Sequence, residues 1–179
     1  MTELLTLNSE SATNRLVLLH GWGADAHDLL SVGKLLTEGL KDRFEIVSFS
    51  APQPHPSGLG MQWYPLYPHK WEEVPNAVLD LEKRLNNLCF KQIPLNKTLL
   101  LGFSQGGAMA LEVATRIKFQ AVFAFSSYPH PDWKPLKDMP PIFLYHGSID
   151  QVVPKAASQK SFDILLKNGA KSELYFFDG

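Results

Sequence analysis

Gly102-Phe103-Ser104-Gln105-Gly106 sets a hydroxyl between two glycines, directly after the apolar run Leu99-Leu100-Leu101 and ahead of a helix-compatible segment. A serine hydroxyl is a weak nucleophile, so it must be presented where a base and a carbonyl carbon both reach it. A strand-to-helix turn tight enough to project Ser104 is crowded, and glycine two residues to either side removes the β-carbons that would collide. The helix expected from Gln105 to about Lys118 carries Ala108, Met109, Leu111, Ala114 and Ile117 on its apolar face and directs its positive end at the turn. Negative charge developing beside Ser104 is favoured there, and the N–H of Gln105 is free to donate to it. G-x-S-x-G also arises by chance; the strand before it and the helix after it give this copy its meaning.

Two further segments carry matching chemistry. His20-Gly21-Trp22-Gly23 closes the apolar run Leu16 to Leu19. Glycine-rich backbone at a strand end can aim N–H groups inward, so Trp22 and Gln105 are assigned as the two donors of an oxyanion hole, against the alternative of an ordinary strand-to-helix turn. Asp150 ends His146-Gly147-Ser148-Ile149-Asp150, after another apolar strand. A carboxylate there can accept from an imidazole N–H, fix its tautomer and stabilise the imidazolium; the alternative is a turn aspartate capping the helix that starts at Lys155. In the order Ser, Asp, His the imidazole belongs after one more strand. That strand is present at Ser172 to Phe177, but no histidine follows Asp150. His20, His27, His55, His69, His130 and His146 read as loop or strand-end residues, and His20 as a hydrogen-bonded structural group.

The elements that must position these groups alternate along the chain. Strands are expected at Leu16–Leu19, Phe44–Phe49, Leu99–Leu101, Ala121–Phe125, Ile142–Tyr145 and Glu173–Phe177. Helices are expected from the leucine-rich spacing between Leu29 and Leu40, from Val74 to Leu88 with Val78, Leu81, Leu85 and Leu88 as its stripe, and from Lys155 to Lys167. Continuous apolar strands separated by helices imply a mostly parallel sheet covered on both faces, with ligands gathered at the strands' carboxyl ends. Ser104, Trp22 and Asp150 all fall at such ends.

Composition narrows the class. A chain of 179 residues forms one domain, and a net charge of −1 with acids and bases interspersed gives no surface for nucleic acid. There is no basic, then apolar, leader in the first residues and no apolar run of ~20 residues, so no integral membrane association is expected and the cytoplasm is the expected location. A single cysteine, Cys89, excludes an internal disulfide and a cysteine-rich metal site, and reads as a small buried hydrophobe on a helix. No metal site is expected.

Leu19-His20-Gly21-Trp22-Gly23-Ala24-Asp25-Ala26-His27, Gly102-Phe103-Ser104-Gln105-Gly106-Gly107-Ala108 and His146-Gly147-Ser148-Ile149-Asp150-Gln151-Val152-Val153-Pro154 together resemble the carboxylesterase/lysophospholipase family of α/β-hydrolases, which includes the acyl-protein thioesterases. Ser50-Ala51-Pro52 followed by Trp63 is similar to the same family, and the resemblance runs from about Arg15 to Gly179. It implies an α/β-hydrolase fold in a single domain spanning 1–179, a Ser104/Asp150 pair, an oxyanion hole from Trp22 and Gln105, and no cofactor. It also implies a histidine within a residue or two of Gly179 and a final helix after it. The chain departs from the pattern by ending before both. On that reading its C-terminal part is missing and its catalysis is impaired, since removal of one triad member leaves only oxyanion-hole and binding contributions.

The substrate side rests on the long loop from Ala51 to His69. Leu59, Met61, Trp63, Tyr64, Leu66 and Tyr67 are candidates to roof an apolar acyl pocket, with a second contribution from Tyr128 to Trp133; the alternative is that these rings pack the loop onto the domain. Leu59, Met61, Trp63 and Tyr128 are named as pocket residues. The loop is shorter than that of acyl-protein thioesterases, which argues against long protein-attached chains. The expected activity is hydrolysis of carboxylic esters or thioesters of short to medium acyl chains through an acyl-enzyme. A catalytically dead ligand- or protein-binding module, and a hydrolase of peptides or enol lactones, are the other readings. A homodimer is admitted as an assembly.

Overall fold

A computed structural model describes residues 3–7, 10–40, 43–88 and 93–178. Cys89 and Gly179 lie outside the described residues, and so does the expectation made for the cysteine. In chain order the elements are β1 (Leu4–Leu7), β2 (Asn14–Leu19), α1 (Leu30–Leu36), β3 (Phe44–Phe49), β4 (Gln53–Pro54), β5 (Met61–Gln62), α2 (Val74–Leu88), β6 (Thr98–Phe103), α3 (Gln105–Val113), β7 (Ala121–Phe125), β8 (Ile142–Gly147), α4 (Lys155–Lys167) and β9 (Ser172–Phe177).

Seven strands form one sheet in the order β1-β3-β2-β6-β7-β8-β9. All neighbours run parallel except β1, which lies antiparallel on β3 with Leu4 opposite Phe49. The first crossover carries the chain from β2 outward to β3, and the later ones carry it the other way from β6 to β9. The direction of winding therefore reverses between β2 and β6, and open α/β sheets form their ligand crevice at that reversal.

The strands read as unbroken apolar runs because both of their faces are covered near this point. Val17, Leu19, Val47, Leu100, Val122 and Leu144 face a core shared with α2, α3 and α4. Leu16, Leu18, Ile46 and Leu101 alternate with them and face α1, where a β-carbon on Gly33 would stand 2.8 Å from Leu18. α2 follows its sequence stripe, with Val78, Leu81, Leu85 and Leu88 all buried. Each fully buried leucine contributes about 2 kcal/mol of transfer free energy.

Some expected boundaries differ. α1 ends at Leu36 instead of continuing to Leu40, and Leu35 and Leu36 are exposed by 69% and 54%. α3 ends at Val113, short of Lys118, because residues 114–117 close in tighter turns. The 51–69 loop contains the two-stranded β4–β5 pair, held by Gln53 opposite Gln62.

Candidate active site

β6 enters α3 through Ser104, whose backbone stands at φ 52°, ψ −116°. This conformation is costly for a residue with a side chain and persists only where the surroundings impose it. The surroundings here are backbone. A β-carbon on Gly102 would collide with the Gly106 carbonyl, and one on Gly106 would collide with the carbonyl oxygens of Leu19 and His20. Gly107 is held 2.7 Å from Ser127 Cβ by the same measure. The Ser104 N–H donates to Phe125 O at 2.8 Å, tying the turn to β7. Ser104 occupies the N-cap position of α3 without a side-chain capping bond, so its hydroxyl is not consumed by the helix.

Across the winding reversal, the end of β2 lies directly against this turn. A β-carbon on Gly21 would stand 3.5 Å from Ser104 Cβ. Gly23 N–H donates to Met61 O at 2.9 Å and Ala24 N–H to Gly21 O at 3.3 Å, while the Trp22 N–H has no acceptor among the described residues. Gln105, as the first residue of α3, has an N–H with no intrahelical acceptor. Two backbone donors thus flank the serine. His20 serves structure: one ring nitrogen meets Gly21 O at 2.7 Å and Nε2 accepts the Ala51 N–H at 2.9 Å. Burial holds its pKa below the ordinary imidazole value.

Asp150 follows β8 and does not cap α4, whose N-cap is Pro154. Its Oδ1 accepts the N–H groups of Val152 and Val153, both at 2.9 Å, and Oδ2 lies 3.5 Å from His146 Nε2. Partial burial raises the carboxyl pKa, but the Val153 and Val152 N–H groups, the Ser126 hydroxyl and His146 together outweigh it and hold the group below its ordinary value. His146 is itself occupied, with Ser158 Oγ at 2.6 Å on Nδ1 and Val153 O at 2.7 Å on Nε2. No described histidine is hydrogen-bonded to Ser104.

Ser104, Trp22, Asp150 and Tyr128 share one cleft of about 850 Å³. Of the four residues named for its substrate wall, Leu59, Met61 and Trp63 do not line it and Tyr128 does. Trp63 is fully buried beneath, its N–H donating to Gln105 Oε1 and its Nε1 to His20 O, both at 3.0 Å. Met61 packs on the core and pairs with Ala24, and Leu59 stands 77% exposed at the tip between β4 and β5. The wall is formed instead by Leu66, Tyr67, His69 and Trp71 from the same loop, with Ser126 and Pro129 opposite. Leu66 and Tyr67 belonged to the wider aromatic set. Ser126, with φ 46° and its hydroxyl on Asp150, was missed; its place at the end of β7, between the Ser104 and Asp150 strand ends, is the signal that marks it.

A serine on a strained strand-to-helix turn, at the winding reversal of a mostly parallel sheet, is the arrangement of an α/β-hydrolase. The chain belongs to the phospholipase/carboxylesterase family, whose model matches residues 4–179. It is 29% identical over 184 residues to acyl-protein thioesterase 1 of Cryptococcus neoformans var. neoformans serotype D, covering 88% of this chain and 75% of that one. It is 26% identical over 200 residues to acyl-protein thioesterase 1 homolog 2 of Dictyostelium discoideum, covering 98% and 87%. The crystal structure of esterase PE8 matches with a TM-score of 0.89 at 28% identity, over 99% of this chain and 89% of that one. Membership places the chain among hydrolases of carboxylic esters or thioesters. No helix among the described residues is long and apolar enough to cross a membrane.

Proposed function

We propose that the protein is a serine hydrolase that cleaves carboxylic esters or thioesters of short to medium acyl chains through an acyl-enzyme. Ser104 Oγ attacks the carbonyl carbon, and its proton passes to an imidazole. Asp150 orients that imidazole, and the N–H groups of Trp22 and Gln105 hold the oxyanion as the tetrahedral intermediate forms. Collapse expels the alcohol or thiol, protonated by the same imidazole, and water then releases the acid by the reverse sequence of proton transfers. The observation that carries this reading is the backbone of Ser104 at φ 52°, open to a cleft that also receives Asp150. The family resemblance supports an imidazole as the partner of both Ser104 and Asp150. An acyl substituent is supported by the apolar side chains of Leu66, Tyr67 and Trp71 on the cleft wall.

The test is turnover of p-nitrophenyl esters by the protein carrying that histidine. Ser104→Ala should abolish it, and unchanged turnover would refute the assignment. A ligand-binding module without turnover is the second reading, favoured by one observation: all six histidines are described, and none is hydrogen-bonded to Ser104. Binding of esters without hydrolysis in the histidine-containing protein would establish it.

A further inference from the structure

A chain of polar side chains, buried at His130 and Tyr64 and partly exposed at Glu112, reaches the Ser104 cleft without taking any part in the acyl-transfer chemistry. Glu112 on α3 lies 2.9 Å from His130 Nδ1. His130 Nε2 lies 2.7 Å from the Tyr64 hydroxyl, and the Tyr64 hydroxyl lies 2.8 Å from that of Tyr128. Tyr64 is fully buried and His130 is 5% exposed, while Tyr128 lines the cleft that holds Ser104. Edge-on ring contacts fix the order of the groups, with Tyr64 and His130 centroids 5.1 Å apart and those of Trp71 and His130 5.8 Å apart.

The direction of each hydrogen bond follows from what each group can do. An ionised carboxylate only accepts, so the proton on His130 facing Glu112 is on Nδ1. A neutral imidazole that donates from Nδ1 accepts at Nε2, which takes the single O–H of Tyr64. Tyr64 then has no proton left for its neighbour, and the 2.8 Å contact requires Tyr128 to be the donor. The O–H groups thus all run toward Glu112, from Tyr128 to Tyr64 to His130. Tyr128 has spent its only proton inward, so its oxygen keeps acceptor capacity alone. Burial raises the pKa of both phenols, that of Tyr128 to about 12, so neither is a phenolate at neutral pH.

We propose that the Glu112–His130–Tyr64–Tyr128 chain makes Tyr128 a specificity-determining hydrogen-bond acceptor in the Ser104 cleft, selecting esters that carry a hydroxyl on the acyl or alcohol part over their deoxy counterparts. The proposal rests on the reading of this cleft as the ester site. A ligand hydroxyl gives its proton to Tyr128 Oη, whereas a methylene in the same place displaces water from that oxygen and leaves it unpaired. A site built to pair with a substrate hydroxyl discriminates against the analogue that lacks it for this reason.

The experiment measures dissociation constants by NMR titration on Ser104→Ala, which needs no turnover, at about pH 8. Two matched pairs locate the hydroxyl: methyl 3-hydroxybutyrate against methyl butyrate, and 2-hydroxyethyl butyrate against propyl butyrate. The expected result is a preference of about fivefold for the hydroxylated member of at least one pair, the size of one neutral hydrogen bond. Adding Tyr128→Phe should bring that ratio close to unity, in part by tightening the deoxy esters, which no longer leave an oxygen unpaired. Tyr64→Phe, which keeps the Tyr128 ring but frees its O–H from the inward bond, should also lower the preference. Equal affinities within both pairs, or a preference that survives Tyr128→Phe, would overturn the proposal. Absence of ester turnover in a form that carries both Ser104 and the triad histidine, with the hydroxyl preference intact, would instead refute the hydrolase reading and leave the selectivity standing.

Discussion

Gln105 holds Trp63 in place: its fully buried side-chain oxygen accepts the Trp63 N–H at 3.0 Å, and its nitrogen donates to the carbonyl of the next residue, Tyr64, at 2.7 Å. The residue whose backbone flanks Ser104 therefore also clamps the loop that walls the cleft. Gln105→Ala leaves a buried N–H and a buried carbonyl unpaired, each at a cost of about 1–3 kcal/mol. Denaturant unfolding of Gln105→Ala should show a loss of about 3 kcal/mol. A loss below about 1 kcal/mol would mean that the loop is held by other contacts.

Gly102 and Gly106 meet backbone to backbone, and neither has room for a β-carbon. Backbone cannot rotate out of the way as the end of a long side chain can, so Gly102→Ala should destabilise by about 3 kcal/mol or more, or prevent folding. Gly39→Ala is the control. Gly39 has a positive φ, which Gly102 does not, and open space around it, so its substitution should cost only about 1 kcal/mol of backbone strain. Equal effects at the two positions would contradict the packing described for the turn.

His20 predicts a pH dependence. Burial keeps its folded-state pKa below the unfolded value of about 6.5, so the unfolded chain binds the proton more readily. Its contribution to stability is complete above about pH 6.5 and is lost as pH falls from there through the folded value. Urea midpoints should decline on acidification from neutrality, by no more than about 1.4 kcal/mol per pH unit from this residue. In His20→Gln the decline over the same window should be shallower. An unchanged slope would show that His20 takes up its proton without disturbing the fold.

Asp150 behaves in the opposite sense. Its carboxyl lies below the ordinary range despite partial burial, because the Val153 and Val152 N–H groups, Ser126 and His146 favour the ionised form. The stabilisation is present above the unfolded carboxyl value of about 3.9 and is lost as pH falls through the folded one. Carboxyl-carbon NMR should place the Asp150 titration below those of exposed aspartates. A midpoint above theirs would mean that burial outweighs the hydrogen bonds.

The sequence states α2 and α4 plainly, because their apolar residues recur at helical spacing and each contact lies within a few residues. It also states the turn at Ser104, where Gly102, Gly106 and the strand and helix around them are local requirements of one backbone conformation. β1 was not legible, since Leu4–Leu7 becomes a strand only by pairing with β3, far along the chain, as Leu4 does with Phe49. The cleft wall was half legible. The aromatic residues between 59 and 71 announce a packed loop, but nothing local says that Trp63 turns inward to His20 O, that Leu59 lands on a hairpin tip, or that Tyr67 and Trp71 face Ser104. Those orientations depend on Gln105, forty-two residues from Trp63, whose side chain fixes which way the loop enters.

The account stands most directly on whether Ser104 is an activated nucleophile. Intact-mass analysis after exposure to a fluorophosphonate tests this, applied to the 179-residue chain, to a form extended by a histidine-bearing segment, and to Ser104→Ala in both. The prediction is one covalent adduct at Ser104, formed fastest in the extended form and absent from both Ser104→Ala variants. Folded chains that remain unlabelled in both forms, or an adduct that persists in Ser104→Ala, would contradict it.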